Sequence, residues 1–367
     1  MPHVGGVESH VLELSKILVR RGHDVTVLTT LLDGTKPEER VEGIRVVRER
    51  PLFTVYTTPV TRSFGKGLAR FDADVVHAHT PPPMSAYYAS KGSRKLGIPF
   101  VLTYHCDPIL SGLAGRMLLS LYRRTLGPST LKRTDQLILT TESYDATSRV
   151  TWKYKSSIIP NAVDIDMFRP GVSGVDVRKK FGLESSQTLV LFVGRLVPHK
   201  GVQYLIRAAG LMKDKDVKVL IVGDGPLMQE LRSEVKRTGV EDRVSFAGKV
   251  SYKELPSYLA ACDIFTLPST SRLEAFGIAA LEAMSSGKPV VVSDIPGVRE
   301  VVQDGQQGYI SKACSPEGIA EKVKLLHDSP TDRKRMGEAA RRTVEERYCW
   351  EKVVQKVEEV YTKSMKN

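Results

Sequence analysis

The chain has 367 residues, 41% hydrophobic and 26% charged, with a formal net charge of +12. At roughly 100–200 residues per domain this length holds two domains, and the ordinary balance of apolar and charged residues excludes a disordered, collagen-like or low-complexity chain. Its four cysteines, Cys106, Cys262, Cys314 and Cys349, stand far apart with no CxxC pair, which argues against a disulfide framework or a structural zinc site. No apolar run approaches the roughly 18–20 residues that span a bilayer. The opening Met1-Pro2-His3-Val4 carries neither a basic nor an apolar signal region, so a soluble, cytoplasmic protein is the expectation.

In chain order, an amphipathic helix is predicted over residues 7–21, with Val7, Val11, Leu14 and Leu18 on one stripe. Gly22 follows as its natural stop. Strands are predicted over 24–30, 74–79, 99–105, 136–141 and 157–159. After a linker at 166–186, rich in Pro, Gly and Ser, a second series begins with the very apolar 188–193. It continues at 218–222, 244–246, 264–267 and 289–293, with helical patterns between. This alternation predicts an α/β fold of two doubly wound, Rossmann-like domains, over residues 1–165 and 187–345. An amphipathic helix closes the chain at 346–367. Gly5-Gly6 feeds the first helix with no strand before it. A doubly wound fold normally puts one there, so the true start lies upstream or the first sheet lacks that strand.

Charge is uneven. Between Arg50 and Thr134 stand twelve Lys or Arg against three acids, Asp72, Asp74 and Asp107. Residues 108–134 hold five cations, many Leu and Met, and no acid, a composition that suits an interfacial helix. The bland alternative is a helix packing its Leu face inward with its arginines solvated.

Four patterns bear on chemistry. Glu274 and Glu282 flank Ala275-Phe276-Gly277-Ile278 at the entry to a helix. If both were helical, they would lie roughly 80° and 12 Å apart. They would then reach two ends of an elongated ligand, whose phosphate or oxygen the helix N–H groups favour. Gly194-Arg195-Leu196-Val197-Pro198-His199-Lys200-Gly201 follows a buried strand, placing two cations where a diphosphate would neutralise them. Gly5-Gly6 permits close approach of backbone to a phosphate. Thr103-Tyr104-His105 ends a strand, where a histidine can relay a proton or bind a hydroxyl. His77 and His79 share a strand face and read as structural, because no third metal ligand is evident beside them. GxGxxG and GxxxxGK[ST] are both absent, so a P-loop or dinucleotide site has no support.

Taken in order, GGVESHV, IPNAVD, GRLVPHKG, VGDGP, EAFGIAALE and SGKPVVVSDIPG resemble the family 4 retaining glycosyltransferases of the GT-B fold. The resemblance implies a nucleotide-diphosphate sugar held in a central cleft that the two domains face, with the C-terminal helix crossing back. It implies that Arg195 and Lys200 bind the diphosphate and that Glu274 meets the sugar hydroxyls. Phe276 and Gly277 would offer amides beside Ala275 and Ile278, and Glu282 would hold the ribose. Gly5, Gly6, Gly194 and Gly223 would lie near the phosphates, Val250 beside the base and His105 near the reacting sugar. His105, Arg195, Lys200 and Glu274 are then the catalytic set. No cofactor and no metal are expected. The N-terminal half looks most like members with lipid-linked acceptors, phospholipid or polyprenol, which fits an enzyme peripheral on an anionic membrane. Competing readings are a nucleotide-sugar epimerase and a non-catalytic anion- or membrane-binding protein. Nucleic acid is not an expected partner, since no aromatic-rich basic platform is present.

Overall fold

A computed structural model describes residues 6–55, 58–61, 63–108, 112–148 and 150–366. The chain divides into two compact units, Met1–Asn161 with Trp350–Asn367, and Ala162–Cys349.

The first unit begins with α1 (Gly6–Arg20), whose His10, Leu14, Ile17 and Leu18 are buried at helical spacing. β1 (Thr26–Thr30), β2 (Glu38–Val41) and β3 (Ile44–Glu49) form a sheet in the order β1-β3-β2. The β2–β3 hairpin turns on Glu42 and Gly43, with φ of 53° and 83°, the tight turn whose twist suits paired strands. A charged strand turning on Glu-Gly lacks the usual Asn-Gly or Asp-Gly cue, and the sequence reading passes over it. β4 (Phe53–Val55) and β5 (Thr58–Val60) make a separate ribbon before the short α2 (Phe64–Gly67). Next come β6 (Val76–Thr80), α3 (Pro83–Leu96), β7 (Phe100–Tyr104), α4 (Gly112–Arg124) and α5 (Leu126–Leu131). β8 (Gln136–Leu139), α6 (Glu142–Thr147) and β9 (Ser156–Ile158) complete this half. The sheet β6-β7-β8-β9 is parallel throughout.

The five strands expected here fall within two residues of β1, β6, β7, β8 and β9. They do not form one sheet. Among the described residues β1 pairs only with β3, and β6 only with β7. The place ahead of Gly6, where an opening strand was considered, lies outside the described residues.

The second unit starts with the segment read as a linker. Residues 166–186 pack into the fold: Phe168 is fully buried, and α7 (Val175–Lys180) buries Val177. Arg178 donates to the carbonyl of Ala261 at 2.7 Å. Its Pro-Gly-Ser content marks turns within the unit rather than a free connection. Strands β10 (Thr188–Val193), β11 (Val217–Val222), β12 (Val244–Gly248), β13 (Ile264–Leu267), β14 (Val290–Ser293) and β15 (Gly308–Ser311) form one parallel sheet. The intervening helices are α8 (Val202–Leu211), α9 (Met228–Thr238), α10 (Leu255–Ala261) and α11 (Ile278–Ser285). α12 (Pro316–Asp328) and α13 (Pro330–Arg347) follow the last strand. The order is β12-β11-β10-β13-β14-β15, the doubly wound arrangement in which the chain reverses direction of build between its first and fourth strands. Continuous apolar strands such as Thr188–Val193 are what a sheet covered on both faces requires.

The last helix, α14 (Trp350–Met365), belongs with the first unit. It buries Trp350, Val353, Val354, Val357 and Val360. Arg21 grips its Glu358 through two bonds of 2.8 and 2.7 Å.

Candidate active site

In an open α/β sheet, ligands collect beyond the carboxyl ends of the strands where the build reverses. In the second unit that place lies between β10 and β13. The loop leaving β10 carries Gly194, Arg195 and Lys200; the loop leaving β13 carries Glu274. The two are joined at several points. The amide of Thr270 donates to the carbonyl of His199 at 2.8 Å. Lys200 Nζ donates to Glu274 Oε2 in a largely buried ion pair. Ser269 Oγ donates to the same oxygen at 3.3 Å. Gly201 sits at φ 68°, and a Cβ there would stand 2.0 Å from the carbonyl oxygen of Pro268. Only glycine lets the two loops close this tightly.

The β10 loop also rests on the turn after β11. The amide of Leu196 donates to the carbonyl of Asp224 at 2.9 Å, and Gly194 N donates to Val222 O at 3.0 Å. Gly223 N donates to Gly248 O at 2.8 Å, which brings the β12 loop with Val250 alongside. Arg195 is exposed, and its side chain makes no ion pair among the described residues.

Glu274 and Glu282 are both buried, not solvated. Glu274 lies in the turn ahead of α11, which begins only at Ile278, so the two glutamates are not joined by continuous helix. Ala275 and Phe276 bridge them, with the Phe276 ring packed edge-on to Tyr348 at 5.9 Å. Burial pushes the Glu282 carboxyl up to about 7, while a hydrogen bond from Tyr252 and the charge of Lys200 pull the other way. A buried acid that titrates near neutrality and feels the Lys200 charge is the kind of group that gathers at functional sites. Behind it, the Arg341 guanidinium donates to the carbonyls of Phe168 and Ser285, both at 2.9 Å, holding the end of α11.

Sequence reasoning names Arg195, Lys200, Glu274 and Glu282 but not Ser269, Thr270, Tyr252 or Arg341, which stand outside any recognisable motif. His199 was quoted only as part of its loop. Burial and the neighbouring Lys200 lower its pKa.

The remaining expected residues lie in the first unit. Gly5 is outside the described residues. Gly6 is the exposed first residue of α1, one turn ahead of His10. His105 follows β7 and is buried. The fold supplies neighbours for His77 and His79 that their spacing did not reveal, since His10 and His105 pack against His79.

The acid-free segment forms α4, and its apolar stripe faces outward. Leu113, Met117 and Leu121 are 69%, 67% and 58% exposed, while Gly115 and Leu119 are buried. Arg116 and Arg124 are exposed on the same helix. Among the described residues no helix is long and apolar enough to cross a membrane.

Comparison with known proteins gives the constellation a family. Residues 4–167 match the model described as Glycosyltransferase Family 4, and residues 176–343 match Glycosyl transferases group 1. The chain is 31% identical over 353 residues to the D-rhamnosyltransferase WbpZ of Pseudomonas aeruginosa, covering 94% of this chain and 87% of that one. It is 30% identical over 376 residues to the phosphatidyl-myo-inositol mannosyltransferase of Mycobacterium tuberculosis, covering 97% and 93%. Among solved structures, Anabaena HepE in complex with UDP-glucose superposes with a TM-score of 0.78 at 21% identity, covering 98% of this chain and 97% of that one. The motifs, the parallel α/β sheets and these full-length matches agree: the chain is a glycosyltransferase of family 4, with the GT-B fold.

Proposed function

We propose that the protein moves a hexosyl unit, mannosyl, glucosyl or N-acetylglucosaminyl, from a nucleotide-diphosphate sugar to a hydroxyl acceptor, with retention at the anomeric carbon. The observation that carries this is the joined pair of loops after β10 and β13, with the half-buried Lys200 paired to the buried Glu274, Glu282 buried nearby, and an exposed Arg195 that makes no ion pair among the described residues. Departure of a nucleoside diphosphate concentrates negative charge on the leaving oxygens, and positioned cations with helix N–H groups stabilise it. Arg195 and Lys200 take that role. Glu274, held by Lys200 and Ser269, is turned over to the sugar hydroxyls once the diphosphate engages Lys200. Glu282 accepts from the ribose hydroxyls. Gly194, Gly223 and Val250 line the phosphate and base positions with main chain, and Ala275, Phe276, Gly277 and Ile278 supply amides. On the acceptor side, His105 meets the reacting sugar and Gly6 the phosphates. Charge neutralisation by side chains makes a resident metal or cofactor unnecessary for transfer.

The acceptor in this reading is lipid-linked, phospholipid or polyprenol. Support comes from the outward stripe of α4 with its arginines and from the relative named for phosphatidyl-myo-inositol. The enzyme then works as a cytoplasmic protein bound peripherally to an anionic membrane surface.

A thermal-shift panel of UDP-, GDP- and ADP-sugars tests the donor site. One nucleotide family stabilises the protein selectively, and the Arg195→Ala variant loses that shift. No shift with any of them sinks the reading. Product stereochemistry tests retention, and an inverted linkage overturns it.

A further inference from the structure

Four of the eight histidines meet in the first unit. His77 and His79 stand on β6 in register with Val101 and Thr103 of β7, so their side chains share one face. His105 comes off the end of β7, and His10 reaches across from α1. His79 Nδ1 lies 3.1 Å from His105 Nε2. The His10 ring is centred 5.5 Å from that of His79 and 5.1 Å from that of His105. One ligand nitrogen from each of His10, His79 and His105 falls within 4.8 Å of the other two.

His77 is committed elsewhere. Its Nδ1 pairs with Tyr361 Oη at 2.8 Å and its Nε2 with Thr103 Oγ1 at 2.7 Å. With both nitrogens occupied it is no ligand. Its ring packs 4.4 Å from that of His79 and fixes that side chain.

We infer that His10, His79 and His105 form a binding site for one transition-metal dication of the zinc class. Three imidazoles with no carboxylate select zinc, cobalt, nickel or copper over magnesium and calcium. Zinc bonds nitrogen at about 2.0–2.1 Å, which sets tetrahedral corners roughly 3.3 Å apart. His79 and His105 already stand near that separation, and rotation of the His10 side chain closes the third corner. Three protein ligands leave a fourth corner for water or a ligand hydroxyl. The bound ion ties α1 to β6 and to the end of β7. It also engages His105, so on the transferase reading a loaded site withdraws that residue from the sugar. The site itself does not depend on that reading, and its test needs no turnover.

Metal-stripped protein is titrated with cobalt(II) chloride while the visible spectrum is recorded. The expected result is tetrahedral cobalt bands that saturate at one equivalent and are bleached by one equivalent of zinc. His10→Ala, His79→Ala and His105→Ala each weaken binding by about 100-fold or more, while His327→Ala titrates like the parent. X-ray absorption at the zinc edge of the unaltered chain then shows three imidazole nitrogens at about 2.0–2.1 Å. No bands at one equivalent in folded protein, bands unchanged in all three variants, or fewer than three imidazoles around zinc overturns the site. The absorption measurement on the unaltered chain decides the matter even where a variant fails to fold.

Discussion

At the scale of single residues, the buried glutamates separate what sequence can and cannot tell. The spacing of Glu274 and Glu282, and of Arg195 and Lys200, is legible as a motif. Burial is not, because it depends on α11 being set against the sheet by Arg341, Phe168 and Ser285. Burial has a measurable consequence. Burial pushes the Glu282 carboxyl from its ordinary value of 4.5 up to about 7. The folded state therefore favours the protonated form, and stability falls as pH rises from 4.5 towards 7, then levels off. One pKa unit corresponds to about 1.4 kcal/mol, so the full effect is about 3 kcal/mol. Glu282→Gln removes the titration. Its second-unit unfolding transition should change little between pH 5 and 8, whereas that of the parent declines. Equal slopes for the two proteins would show that Glu282 is not held protonated by burial.

Lys200 allows a sharper separation of stability from catalysis. Removing one member of a buried ion pair strands the other, at about 3–5 kcal/mol. Lys200→Ala should therefore unfold more easily and lose roughly 10²–10³-fold in kcat through the lost leaving-group charge. Pairing Lys200→Met with Glu274→Gln removes both charges together. Stability should return towards the parent value while activity stays lost, read by unfolding and initial rates on the same preparations. Recovery of turnover in the double variant would show that neither charge is needed for transfer and that Lys200→Ala fails only through the stranded Glu274.

At the scale of elements, most strands follow from β-branched apolar runs, and the parallel pairing of the second unit, though not its strand order, follows from their alternation with helices. The exceptions have physical causes. β2 and β3 are charged and joined by Glu-Gly, and β15 (Gly308–Ser311) is four residues long and opens on glycine. The His10–His79–His105 grouping was hidden because it requires α1 to cross β6 at one particular height, which no local pattern encodes. α4 shows the converse: its acid-free, leucine-rich composition is legible, while the outward facing of Leu113, Met117 and Leu121, which the proposed interfacial role uses, is not. Each of these side chains loses roughly 1.5–3 kcal/mol of apolar contact when fully withdrawn from hydrocarbon. Replacing all three with serine should abolish sedimentation with anionic liposomes and leave donor-induced thermal shifts intact. Because the arginines remain, binding that survives at low salt and disappears at high salt would assign the docking to charge alone.

For the whole molecule, the sequence is read as domains over 1–165 and 187–345 with a linker between, and the structure gathers Met1–Asn161 with Trp350–Asn367 and, separately, Ala162–Cys349. Residues 166–186 look like a linker because Pro, Gly and Ser dominate, yet Phe168 and Val177 anchor them in the second core. The final helix follows the second core in sequence and belongs to the first unit in space. Its amphipathic period was legible; that it crosses back was expected only from the family resemblance, because what ties α14 to the first unit is tertiary contact such as Arg21 with Glu358 and His77 of β6 with Tyr361. Ending the chain at Cys349 removes Val353, Val354, Val357 and Val360 from the first core, all buried. At about 1.5 kcal/mol or more for each, the loss rivals the 5–15 kcal/mol that holds a typical domain. The second unit keeps its whole sheet and every proposed donor-contact residue that it contributes. Calorimetry of the shortened chain should therefore show one transition lost and the other retained, the retained one still rising with the nucleotide that stabilises the parent. Loss of both transitions would mean that the second unit has no independent stability, and retention of both would mean that α14 is dispensable to the first.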